Sequence, residues 1–148
     1  MKTITKKWLR EKGACAEGYE WFCNQKDHST GAILRELNKE GKFCDIKWFI
    51  EMALNKKQSV ELAVFCAESC IGAFEKDSND NRPRLAIESA KDYLKNPCKR
   101  TKGAAGAAWS AAGAACSAGA ACSASAACAA GAVWSEITEK IIELLGAE

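Results

Sequence analysis

Three groups of side chains in this sequence offer chemistry: basic residues beside helix starts, nine cysteines, and one histidine. The basic set is the most usable. Arg82 and Arg84 flank Pro83 at the start of a helical pattern, and Lys99, Arg100 and Lys102 stand just before the next one. Free backbone N–H groups and the helix dipole favour an anion at such a place. Arg adds a planar, two-pronged contact to phosphate. Brought together, these five residues would form a phosphate-binding corner, with Tyr93 or Trp109 as a stacking surface for a base. A structural reading competes: Arg84 pairs with Glu88 one turn on, and 99–102 is a solvated loop.

The cysteines are Cys15, Cys23, Cys44, Cys66, Cys70, Cys98, Cys116, Cys122 and Cys128, and no two stand at the C-x-x-C spacing. Cys66 and Cys70 share a helix face. They read as half a metal site or as two small buried side chains, and burial is the commoner fate of cysteine. No metal and no cofactor is expected. The opening, Met1 to Trp8, is charged and lacks the apolar run of a secretion signal. A cytoplasmic chain with reduced thiols, and no disulfide framework, is therefore expected. His28 lies in a polar run before a helix. It is the only partner available for a Cys–His nucleophile pair, and a single His leaves little acid–base chemistry. The glycines of 103–119 lack both a following Lys-Ser/Thr and a preceding strand, so they make no phosphate loop. The chain is expected to be a binder and not an enzyme.

The elements that must position these groups are helical throughout. Thr5 caps a helix that runs to Lys12 and stops at Gly13; Tyr19, Phe22 and Cys23 mark the next. Ser29 or Thr30 caps a third, with Ile33, Leu34 and Leu37, closed by Gly41. Asp45 is expected to cap a fourth, with Trp48, Phe49 and Met52. Ser59 is expected to open a longer one, striped by Leu62, Phe65, Cys66, Cys70, Ala73 and Phe74. Residues 77–81 read as a loop. Arg82-Pro83-Arg84 starts a helix with Ile87, Ala90 and Leu94 inward, ended by Asn96-Pro97. A final stripe holds Trp134, Ile137, Ile141, Leu144 and Leu145. No segment alternates with period two, which predicts an all-α bundle.

Residues 103–132 hold 17 Ala, five Gly, four Ser, three Cys and one Trp, with a six-residue repeat at Gly113, Gly119 and Ser125. On a helix, six steps of about 100° leave Cys116, Cys122 and Cys128 pointing in three directions. Each Gly costs about 1 kcal/mol relative to Ala, a cost that close approach of another backbone offsets. The stretch is expected to form a long central helix, buried by neighbours or packed on a copy of itself, with Gly113, Cys116, Gly119, Cys122 and Cys128 as packing residues. It exceeds the ~20 residues of a membrane span, but Leu, Ile and Phe are absent from 103–135, so no span is expected. The single-domain reading divides the chain at 1–57, 58–97 and 98–148. Net charge is +2. Residues 1–102 carry 20 basic against 15 acidic side chains, and the remainder one against four. That balance is too mild for a dedicated DNA-binding domain.

The stretch from Asn79 to Leu94, with Arg82-Pro83-Arg84-Leu-Ala-Ile-Glu88 at its centre, resembles the R-P-R-x-A-I-E block of an immunity-protein family found in phage and bacterial genomes. The parts around it are similar too: a Cys-containing helix before it, a long Ala-rich helix with Trp after it, and an opening like Trp8 to Cys15. Family members place charged residues among the alanines, and this chain has none there. The resemblance implies a protein of phage–bacterium conflict and assigns no ligand residues. Combined with the basic helix starts, it leads to the expectation of a homo-oligomeric binder that sequesters a bacterial immune factor, such as a nucleotide signal. The alternatives are neutralisation of a protein toxin by direct contact, or a structural role in assembly.

Overall fold

Short polar side chains start most of the helices. The computed structural model describes residues 1–77, 80–96 and 126–146. Thr5 Oγ1 accepts from the Trp8 N–H at 3.1 Å and opens α1 (Lys6–Glu11). Cys15 Sγ accepts from the Gly18 N–H at 3.3 Å and opens α2 (Ala16–Cys23). Ser29 Oγ accepts from the Ala32 N–H and opens α3 (Thr30–Lys39). These caps satisfy N–H groups that the helix itself leaves unpaired. Gly13 and Gly41, at φ +74° and +70°, reverse the chain after α1 and α3, a conformation that costs other residues more.

Two expected starts are corrected. Asp45 does not cap α4 (Phe43–Ala53): Lys42 holds that position without a side-chain bond, and Asp45 sits in the first turn. The reversal at Gly41 brings the chain into helix at once, and a carboxylate in the first turn still meets the dipole favourably. α5 (Lys56–Asp77) starts three residues before Ser59. Asn55 Oδ1 accepts from the Gln58 N–H at 3.0 Å, and Gln58 Oε1 accepts from the Asn55 N–H at 2.9 Å. This reciprocal box leaves the Ser59 hydroxyl to donate back to the Asn55 carbonyl. α6 (Arg82–Lys95) carries Pro83 in its first turn, and α7 (Ala126–Leu145) closes the described chain. The protein is all-α as expected; among the described residues the only extended pairing is a single bridge between Thr3 and Ser29.

The chain groups into two compact units, Met1–Leu54 with Ala132–Glu148, and Asn55–Gly131. The C-terminal stripe joins the N-terminal helices in the first of these units. In the first unit Ile4, Leu34, Ile46, Ile141 and Ile142 are almost wholly buried. Each such side chain contributes roughly 1.5–3 kcal/mol of burial. α7 buries Ile137, Thr138, Ile141, Ile142 and Leu145, a wider arc than the expected stripe, while Leu144 is half-buried. Trp134 stacks on Phe43 with centroids 4.8 Å apart. α3 and α7 are joined by a two-pronged pair from Arg35 to Glu139, both contacts 2.7 Å, and by Asn38 Nδ2 donating to Ser135 Oγ. The second unit contains the α5–α6 hairpin. Its seam is Val60, Val64 and Ala67 against Ile87 and Ala90, flanked by Ile71, Tyr93 and Leu94. No described helix is long and apolar enough to cross a membrane.

Candidate functional site

At the start of α6 the two predicted arginines face carboxylates. Arg82 turns back to Asp80, with contacts of 2.9 and 2.6 Å, and its own backbone N–H also donates to Asp80 Oδ1. Arg84 crosses to Glu75 on α5, Nε to Oε1 at 2.6 Å, with a second prong to Oε2. The expected i,i+4 pairing with Glu88 thus gives way to a contact across the hairpin. A two-pronged carboxylate is the better match to a guanidinium. These contacts hold Asp80 and Glu75 below the ordinary carboxylate range, the guanidinium hydrogen bonds being the largest cause in each case. Lys91 bonds Glu68 farther along the same hairpin. The Tyr93 ring has Lys56 Nζ 5.8 Å from its centroid. Of the predicted corner, Arg82, Arg84 and Tyr93 are therefore each engaged by a neighbour. Lys99, Arg100, Lys102 and Trp109 lie outside the described residues. So do Gly113, Cys116, Gly119 and Cys122, and Cys128 falls in α7 with its side chain undescribed.

His28 is structural in its contacts. Its ring stacks on Phe22 at 4.2 Å, and Nε2 donates to the Phe22 carbonyl at 3.2 Å. Among the described residues, Cys15, Cys23, Cys44 and Cys66 form no disulfide. Among the described residues no cluster of His, Cys, Asp and Glu suits a metal ion.

The first unit holds a cavity of about 290 Å³ that the sequence reading did not anticipate. Its buried lining is apolar: Ile4, Leu9, Phe22, Ile33, Leu37 and Phe49. Trp21 and Trp48 are half-buried in it, and the lining reaches solvent at Gly13 and Cys15. The rings are held from outside. Trp8 meets Trp48 edge-on at 5.9 Å and Phe49 at 5.6 Å, and Trp21 Nε1 donates to Glu40 Oε2 at 2.8 Å. Cys15, Gly18 and Asp45 also line an adjoining polar cleft that includes Glu17, Lys42 and Cys44. These shared residues form the mouth. A Cβ placed on Gly18 would lie 3.3 Å from Cys15 Sγ and 3.8 Å from Asp45 Oδ1, so the glycine keeps the mouth open. A preformed apolar cavity with a few polar groups at its edge is the usual form of a small-ligand site.

The sequence carried a signal for this site. Gly18 stands in the first turn of an aromatic-rich helix without a positive φ to require it, a choice with an entropic cost, and close packing or access is the usual compensation. No curated protein and no solved structure matches the chain. Residues 33–140, which include the Arg82-Pro83-Arg84 block, match the model of a family described as a family of unknown function (DUF6931), and the chain belongs to that family.

Proposed function

We propose that this protein is a non-enzymatic binding protein of phage–bacterium conflict, acting in the bacterial cytoplasm, and that it captures its target through the cavity of the first unit. The observation that carries the binding reading is the apolar cavity of about 290 Å³ with Trp21, Trp48 and Phe49 in its lining and its mouth at Gly18. The conflict setting is supported by the similarity of residues 79–94 to the immunity-protein block. An apolar cavity suits a small apolar molecule or an apolar side chain of a protein target, so direct neutralisation of a toxin is one form of this reading. Titration with the neutral fluorophore N-phenyl-1-naphthylamine tests it. Saturable, one-to-one enhancement that is lost in Gly18→Leu is expected; no enhancement in the folded wild type argues against it.

Sequestration of a nucleotide immune signal is the second reading. It is favoured by the exposure of the Arg82 and Arg84 side chains, 86% and 54%, at one helix start. Phosphate would have to replace Asp80 and Glu75 as partner, which weakens this reading relative to the first. A thermal-shift panel of cyclic and linear nucleotides tests it. Ligand at 100 times its dissociation constant adds about 2.7 kcal/mol, and a flat panel ends this reading.

A further inference from the structure

We propose that the cavity of the first unit selects a small amphiphilic cation: a compact apolar or aromatic body among Trp21, Trp48 and Phe49, with one ammonium group at Asp45. The inference rests on the cavity being the binding element and adds the charge of its ligand.

Size sets the body. About 290 Å³ stands at the lower end of ligand cavities, which suits one or two fused rings or a short branched chain. The ring contacts from Trp8 and the Trp21–Glu40 hydrogen bond hold the lining in place, so little ordering cost falls on binding.

Charge sets the head group. Glu17, Lys42 and Asp45 are the ionised groups of the mouth and its adjoining cleft. Lys42 Nζ lies 3.9 Å from Glu17 Oε1, so the one cation there has a partner. Asp45 is half-buried, and its carboxylate makes no hydrogen bond or ion pair among the described residues. Its neighbours at the mouth are the Cys15 thiol and the bare Gly18 backbone, neither of which offers positive charge. A partly desolvated carboxylate gains most from an ionised donor. Trp21 and Trp48 line the same cavity as Asp45, and an aromatic face attracts the same cation. Two carboxylates against one ammonium repel anions, which separates this site from any phosphate ligand at α6.

Calorimetric titration of the full-length chain with three indoles of matched ring tests the proposal: tryptamine, tryptophol and indole-3-acetate. Tryptamine is expected to bind at least tenfold more tightly than tryptophol, and indole-3-acetate the weakest. Asp45→Asn is expected to lower tryptamine to the level of tryptophol while leaving tryptophol unchanged. In the wild type, the advantage of tryptamine should shrink as salt rises from about 10 Å to about 3 Å of screening length, a readout that does not depend on the variant folding. Equal binding of tryptamine and tryptophol overturns the charge assignment and leaves the cavity as binding element. Binding of none of the three overturns both.

Discussion

In the second unit, α5 and α6 close along a seam of Val60, Val64, Ala67, Ile87 and Ala90, and the flanks are fastened by Arg84 to Glu75 and Lys91 to Glu68. In the first unit, large rings from α2 and α4 meet around a hollow of about 290 Å³. The difference lies in side-chain size and in charge supply. Small and β-branched residues let two helices approach closely, and Arg84 and Lys91 at their edges find carboxylates on α5. Trp21, Trp48 and Phe49 fill space in flat plates, which cannot close on one another as completely. Arg84 pairs across the hairpin with Glu75 and Arg82 pairs locally with Asp80, while aromatics that look like core line a hollow.

The comparison is tested most strongly by truncation. Ile46→Ala, at a fully buried position away from the cavity, is expected to cost about 2–5 kcal/mol. Ile33→Ala, which borders the cavity, should cost less by about 1 kcal/mol, because part of its surface faces a void and has fewer contacts to lose. Urea unfolding of both variants measures the gap, and equal costs would mean that the hollow is filled by side chains in solution. Ser29→Ala removes the α3 cap and is expected to cost about 1 kcal/mol by the same measurement.

Smaller effects separate polar groups that are satisfied from those that are not. Thr138 is 1% exposed and its hydroxyl has no hydrogen-bond partner in the described structure. Thr138→Val keeps the shape and removes an uncompensated buried dipole, so its stability should equal or exceed wild type by up to about 1 kcal/mol. Glu75, Asp80 and Glu139 are all held below the usual carboxylate range by their arginines. Their stabilising contribution is present above the ordinary value near pH 4. It is lost as pH falls through the lowered values, because protonation then breaks the pairs. Both units share this loss, so the urea midpoint should be level above about pH 5 and fall below about pH 4. In Arg84→Gln the fall should be shallower, and its cost at neutral pH should be smaller than that of Ser29→Ala, since exposed pairs contribute little.

Much of the fold was legible because its signals are local. Thr5, Ser29, Gly13 and Gly41 act within four residues, and the α6 stripe of Ile87, Ala90 and Leu94 follows from helical period alone. What failed depended on a partner elsewhere. Arg84 had a carboxylate one turn away in Glu88, but Glu75 on α5 presents both oxygens, and only the hairpin brings it near. The box between Asn55 and Gln58 was masked by the more familiar cap residue Ser59. The breadth of the buried arc on α7, with Thr138 and Ile142 inside it, depends on neighbours that approach from several sides. The cavity was the least legible feature. Trp48 and Phe49 fit a core stripe by spacing, and nothing in periodicity distinguishes rings that touch from rings that leave a gap. Gly18 was the one residue whose cost pointed to it.

The central claim is that the binding element lies in the first unit and not at the arginines of α6. Amide chemical-shift mapping on the full-length chain with N-phenyl-1-naphthylamine tests it most directly. The account predicts shifts concentrated at Ala14, Cys15, Gly18 and Phe49, which line the cavity, with the amides of Arg82, Arg84 and Leu85 unmoved. Shifts concentrated at the start of α6, with the cavity amides silent, would contradict it.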